Sequence, residues 1–300
     1  MSARFTFLVA LSLAASAFVG CSSSDAVNVA GGDSGPGSDT APTPGTDTGG
    51  DTAKPPAGAL AFKTYVVLGD SISANGGEGP YFDSLLMKND DTKWPDYKGQ
   101  DLTTKYGAIK LEKHSKGGST AVNLDSQVAA LPKTLEGPVL VTITIGGNDV
   151  QAALPTVLGG GSDDAKRTQF QGYIQTALDE LTAPGRFGEG VQVRVILANI
   201  YDPSDGTGNF TFATGTKCGG ALGFWPAGKE TKSILDKWED AMAVEAVKHP
   251  EVVYADLRAR FDGHGVPSTT ETWFVKDCIH PNSAGHTQVR GLMWEAVKNL

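Results

Sequence analysis

Three short stretches carry side chains suited to nucleophilic chemistry. Ser71, in Gly69-Asp70-Ser71-Ile72-Ser73, follows the apolar run Tyr65-Val66-Val67-Leu68 and precedes a glycine-rich loop, Asn75 to Gly79. A hydroxyl at the carboxyl end of a buried strand meets whatever ligand gathers on that rim, so Ser71 is a candidate nucleophile. Near the other end stands Asp277-Cys278-Ile279-His280-Pro281-Asn282. A carboxylate three residues before an imidazole lets one tight turn aim both side chains the same way. The carboxylate then holds Nδ1–H while the other ring nitrogen takes a proton from a serine. Between them, Gly146-Gly147-Asn148-Asp149 closes the run Val139 to Ile145, and the Asn148 amide could donate to a tetrahedral oxyanion. Each stretch has a plainer reading: an ordinary Gly-Asp-Ser turn, an incidental surface Asp/His pair, an Asn that caps the next segment.

The elements that must position these groups follow from hydrophobic pattern. From residue 60 onward, short β-type runs alternate with longer helical patterns, which predicts a parallel sheet with helices on both faces. Strands are expected near 63 to 68, 107 to 113, 138 to 145, 191 to 198 and 251 to 255. Helices are expected near 80 to 88, 121 to 131, 164 to 182, 229 to 248 and 282 to 298. After the second strand, Ser115-Lys116-Gly117-Gly118-Ser119-Thr120 opens a helix, and the Gly118 N–H could approach an oxyanion; a βα loop needing positive φ is the alternative. The connection from Asn199 to Gly228 is long and carries Tyr201, Phe210, Phe212, Phe224 and Trp225, so it either walls an acyl- or sugar-binding cleft or packs on itself. His286 falls within the last helix, while His114, His249 and His264 have no carboxylate at a comparable spacing; all four read as structural.

Three hundred residues allow one sizeable core or two small ones, and a net charge of −9 without a basic stripe argues against a nucleic-acid partner. Met1 to Gly20 reads as a secretory signal: Arg4 supplies the positive start and Phe5 to Val19 an apolar run short for a bilayer span. Phe18-Val19-Gly20-Cys21 resembles the lipobox of bacterial lipoproteins, with Phe where Leu is usual, which implies lipidation of Cys21 and attachment to a membrane. A plain signal peptide beside a fortuitous cysteine is the alternative, and both imply export. Residues 21 to 58 are then the lipidated cysteine and a Ser/Gly/Thr/Asp/Pro tether that cannot bury enough surface to offset ordering, and 59 to 300 are expected to form the folded domain. Export makes a Cys218–Cys278 disulfide the expectation, two buried thiols the alternative.

Taken in order, Gly69-Asp70-Ser71, Gly118, Gly147-Asn148-Asp149 and Asp277 with His280 resemble the SGNH (GDSL) hydrolase family across residues 63 to 298. The resemblance implies a flavodoxin-like, three-layer α/β/α sandwich around a five-stranded parallel sheet in the order 2-1-3-4-5. It implies Ser71 as nucleophile, His280 as base and then acid, and Asp277 as its orienting carboxylate. The oxyanion donors would be the N–H groups of Ser71 and Gly118, with Gly117 as fallback, plus the side chain of Asn148. The implied reaction is ester hydrolysis through an acyl-enzyme, with no metal and no cofactor. Cys278 departs from the pattern; paired with Cys218 it would tie the aromatic connection to the acid–base turn. No Gly-x-Ser-x-Gly pentapeptide of the α/β-hydrolases is present. The expectation is an exported, membrane-anchored monomer acting on lipid, short acyl or polysaccharide acetyl esters. A non-catalytic binding lipoprotein or an acyltransferase on the same fold are the alternatives.

Overall fold

The computed structural model describes residues 60 to 226 and 228 to 300. The expected signal segment, Cys21 and the tether lie outside the described residues. Five parallel strands form one sheet in the order β2-β1-β3-β4-β5: β1 Thr64–Gly69, β2 Lys110–Lys113, β3 Val139–Thr144, β4 Val193–Ala198 and β5 Val252–Ala255. β1 and β3 are buried at every position, as their unbroken apolar and β-branched runs require of strands covered on both faces. The strand order reverses at β1 and β3, with β2 added on one side and β3 to β5 on the other, the switch point where open parallel sheets leave a crevice at their carboxyl ends. Register makes that crevice level. Gly69 pairs with Thr144 and Thr144 with Ala198, so the three central strands end on one line.

Helices cover both faces. On one side α3 (Val122–Ala129), α5 (Asp164–Thr182) and α6 (Lys232–Ala246) pack in sequence, with α4 (Gly147–Leu158) against α5. On the other, α8 (Ser283–Lys298) packs against α1 (Phe82–Met87) and α7 (Leu257–Phe261), and α2 (Leu102–Tyr106) adjoins α1. The result is the expected three-layer sandwich. Each apolar stripe meets the sheet: Leu124 and Val128 from α3, Ile174, Leu178 and Leu181 from α5, Val289, Met293 and Val297 from α8 are all buried.

The differences from the sequence reading are local. Helices α2, α4 and α7 are additions to it. Two of them are single turns of five residues, too short for periodicity, and α4 contains Pro155, a residue that normally marks a helix end. β2 starts at Lys110, three residues later than expected, because α2 runs to Tyr106 and Gly107 closes it at φ +83°. The stretch from Asn199 to Gly228 is not an independent surface loop. A short antiparallel bridge pairs Thr211 with Lys217, Tyr201 and Phe210 are buried, and the Phe210 and Trp225 rings pack at 5.4 Å. The Cys218–Cys278 disulfide is formed, with Cα atoms 5.7 Å apart.

Candidate active site

The serine sits on a turn that only glycine permits. Gly69 closes β1 at φ +116°, and a Cβ there would lie 1.9 Å from the Thr144 carbonyl oxygen of β3. Asp70 N–H donates to that same carbonyl at 2.8 Å. The Asp70 carboxylate then accepts from the Ile72 N–H at 3.0 Å and from the Thr144 hydroxyl at 2.9 Å, turning the chain so that Ser71 faces the rim. Burial raises the Asp70 carboxyl to about 6 against these hydrogen bonds. The chain after Ser71 makes a single turn rather than a helix. It closes when the Gly76 N–H reaches the Ser71 carbonyl at 2.6 Å, with Asn75 at φ +67°, and two glycines and Pro80 bar its extension.

Gln127, a polar side chain on the buried face of α3, clamps the base of this turn. Its Oε1 accepts from the Gly69 N–H at 2.7 Å, and its Nε2 donates to the Gly69 carbonyl at 2.9 Å and to Ser119 Oγ at 3.1 Å. It thereby couples the serine turn to the 115–120 loop. Asn148, in the first turn of α4, donates from Nδ2 to the Ser119 carbonyl at 2.9 Å, and Asp149 accepts from the Ala121 N–H at 3.0 Å. Burial lifts the Asp149 carboxyl to about 7. Sequence reading passes over Gln127 and gives Asp149 no role of its own. The signal for Gln127 is an amide at a core position between Leu124 and Val128.

Across the crevice, the Asp277–His280 turn has the geometry its spacing predicts. Asp277 Oδ2 accepts from His280 Nδ1 at 2.7 Å, while Oδ1 accepts from the Ile279 and His280 N–H groups, each at 2.9 Å. Burial pushes the Asp277 carboxyl up, but the bonds from His280 and Ile279 outweigh it and hold the group below the usual carboxylate range. The turn is braced on several sides. Val275 N–H donates to the His280 carbonyl at 3.0 Å, the Tyr201 hydroxyl to the Ile279 carbonyl at 2.5 Å, and Glu78 N–H to the Pro281 carbonyl at 3.1 Å. Asn282 caps α8 through the Gly285 N–H at 3.0 Å.

Gly76 brings the two halves together. A Cβ there would lie 2.8 Å from the Ser71 carbonyl oxygen and 2.9 Å from His280 Nε2, so the imidazole lies against the serine turn with no room for a methyl group between them. His286, fully buried, holds Gly76 in turn: its Nε2 donates to the Gly76 carbonyl at 2.8 Å, and burial lowers the ring to about 4. The structural reading of His286 therefore needs enlarging, because it braces the loop that backs His280. His249, bonded to the Glu245 carbonyl and Asp179, and His264, stacked on Trp273 at 3.6 Å, stand apart from this cluster. His114 lies 3.5 Å from Glu112 at the edge strand.

Facing Ser71 is Gly117, on which a Cβ would lie 4.0 Å from Ser71 Cβ; one on Gly118 meets nothing within 4 Å. The N–H groups of Ser71, Gly117 and Gly118 donate to no backbone acceptor among the described residues. Free N–H groups beside a hydroxyl, an Asn amide and a carboxylate-held imidazole are the parts that acyl transfer uses. Among the described residues, no group of three or more His, Cys, Asp or Glu side chains is arranged to hold a metal ion, and no helix is long and apolar enough to cross a membrane.

Comparison with known proteins gives three results. The family model described as GDSL-like Lipase/Acylhydrolase matches residues 65–290. No curated protein is found as a relative. Among solved structures, the lipase Lip_vut3 from a goat rumen metagenome is 17% identical with a TM-score of 0.53, covering 78% of this chain and 97% of that one. An extracellular lipase from Streptomyces rimosus is 20% identical with a TM-score of 0.48, covering 78% of this chain and 99% of that one. Axe2, an acetylxylan esterase from Geobacillus stearothermophilus, is 15% identical with a TM-score of 0.49, covering 78% of this chain and 94% of that one. At 17% identity the likeness to Lip_vut3 concerns the fold alone.

Proposed function

Because the chain belongs to the GDSL-like lipase/acylhydrolase family and is a carboxylic ester hydrolase, we propose that it works through Ser71, His280 and Asp277 as an exported serine esterase. The observation that carries this reading is the close approach at Gly76, which holds a carboxylate-oriented imidazole against the serine turn. His280 Nε2 takes the Ser71 proton as Oγ attacks the ester carbonyl carbon. The carbonyl π electrons move to oxygen, and that oxyanion accepts from the N–H groups of Ser71 and of the Gly117–Gly118 pair and from Asn148 Nδ2. Collapse breaks the bond to the alkoxy group, which leaves with the proton held on His280. Water then attacks the acyl-enzyme, giving its proton to the same imidazole, and the acid is released as Ser71 is reprotonated. Asp277 keeps Nδ1–H oriented through both steps and stabilises the imidazolium.

Export rests on the Met1 to Gly20 pattern, and membrane attachment on Cys21 in its lipobox-like setting. With residues 22 to 58 as a tether, the domain would act away from the anchoring surface as a monomer.

The test is hydrolysis of p-nitrophenyl acetate by the protein and its Ser71→Ala variant. Loss of the nucleophile should lower kcat by about 10⁴-fold or more with the fold unchanged by circular dichroism. A variant that turns over within tenfold of the parent would remove Ser71 from the mechanism.

A further inference from the structure

Beside Ser71 a cavity runs inward from the crevice, between the ends of β3 and β4, helices α4 and α6, and the 199–231 connection. Its cavity volume is about 100 Å³, or about 850 Å³ counting the space at its open mouth. The slot is therefore narrow. Ser71, Asn148 and Ile279 belong to the mouth by their place in the site; Leu154 of α4, Leu235 of α6 and Phe210 of the connection line it further along the chain and are buried.

Polar side chains do line it, but their hydrogen-bonding capacity is used within the protein. Asp202 accepts from Ser204, Gly206 and Thr231; Asn199 donates to Asp256 and accepts from the Arg258 N–H; the Tyr201 hydroxyl donates to Ile279. A sugar pocket needs such groups free and convergent, and Gln151, one turn beyond Asn148, is the exception without a partner among the described residues. A lining with its polar groups consumed favours an apolar occupant, and the nucleophile at the mouth requires that occupant to be attached to a reacting carbonyl.

We infer that this cavity is the acyl-chain site and that its narrowness selects esters of short-to-medium fatty acids, about four to six carbons, over acetyl and long-chain esters. The size follows from comparison with cavities in other proteins, where about 150 Å³ of dry apolar space takes one benzene-sized group. Acetate would leave most of the slot empty, while palmitate would have to turn back to solvent. The inference rests on the serine-esterase reading and deepens it. It also gives the long connection a function: Phe210 and Trp225 wall the chain site, and the Cys218–Cys278 bond fixes that wall to the turn bearing His280.

The experiment measures kcat/KM for p-nitrophenyl acetate, butyrate, hexanoate, decanoate and palmitate with the full protein. The expected profile peaks at butyrate or hexanoate, about tenfold or more above acetate and above palmitate, since each methylene buried in an apolar pocket is worth roughly tenfold. Leu154→Ala and Leu235→Ala should raise the decanoate-to-butyrate ratio and Leu154→Phe should lower it. These ratios are internal to each variant and do not depend on how much of it folds. Labelling of the unmodified protein by fluorophosphonates with ethyl, butyl and decyl chains reads the same preference in one covalent step. A flat profile, or a maximum at acetate or palmitate, overturns the chain-site inference while leaving the esterase reading intact. Turnover that survives Ser71→Ala instead strikes the esterase reading itself.

Discussion

A single methyl group at Gly76 is the smallest change that should separate fold from catalysis. The added Cβ would lie 2.6 Å from His280 Cδ2 and 2.9 Å from Nε2 on one side, and 2.8 Å from the Ser71 carbonyl on the other. The ring is the softer neighbour. It is held by the Asp277 bond and borders the open crevice, whereas the serine carbonyl is locked by the Gly76 and Ala74 N–H groups at 2.6 and 3.1 Å. The imidazole should swing away, lengthening the path of the proton from Ser71. Displacement of this order costs roughly 10²-fold in rate. Gly76→Ala is thus expected to lower kcat about a hundredfold with little change in KM, and to leave the melting temperature within a few degrees; steady-state kinetics beside a thermal melt reads both. A fall in stability with unchanged kcat would mean that the serine turn yields instead of the ring.

At the level of elements, the disulfide joins the aromatic connection to the acid–base turn across 60 residues of chain. Closing a loop of that length constrains the unfolded state by about 4 kcal/mol in the chain-entropy picture. For a domain of this size that corresponds to roughly 8 to 16 °C in melting temperature. Cys218→Ser/Cys278→Ser should therefore melt that much lower and lose activity as the turn carrying His280 loosens. Full activity and unchanged melting would show that Tyr201, Val275 and Glu78 alone suffice to brace it. What is legible in the sequence follows the same division. The central strands are plain because Val139 to Ile145 and Tyr65 to Leu68 are unbroken apolar runs, and Ser71, Asn148, Asp277 and His280 stand at their ends or before the last helix. Gln127, His286 and Gly76 are not legible as parts of the site. Their roles come from contacts across long separations, such as the 210 residues between Gly76 and His286, and no local spacing encodes those. The inward packing of the 199–231 connection is equally hidden, since a string of glycines and aromatics is compatible with a surface loop or a cavity wall.

For the whole molecule, buried titratable groups set an opposition between stability and chemistry. Asp70 and Asp149 keep their protons up to about 6 and 7 in the folded state but release them near 3.8 when unfolded, so the folded chain binds more protons between those values. Their stabilising contribution is full below the unfolded value and is lost as pH rises through about 6 to 7. His286 has the reverse sense. It charges near 6.5 when unfolded and at about 4 when folded, so its contribution is lost as pH falls across that window. Glu239 adds to the two aspartates, since burial lifts its carboxyl to about 8. Three acids against one imidazole leave a net gain on acidification, on the order of 5 kcal/mol between about pH 8 and pH 5. The net charge of −9 at pH 7 adds self-repulsion of the same sign, which salt screens while leaving the buried groups almost untouched. Catalysis runs the other way, because a general base must be unprotonated. The protein should then be most stable near pH 5 and most active at higher pH. Urea unfolding at both pH values in high salt measures the buried contribution alone. Asp149→Asn should reduce the pH 5 advantage without abolishing it, since an amide accepts from the Ala121 N–H without titrating while Asp70 and Glu239 still do. Greater stability at pH 8 than at pH 5 in the parent protein would contradict this assignment of the proton balance to Asp70, Asp149 and Glu239.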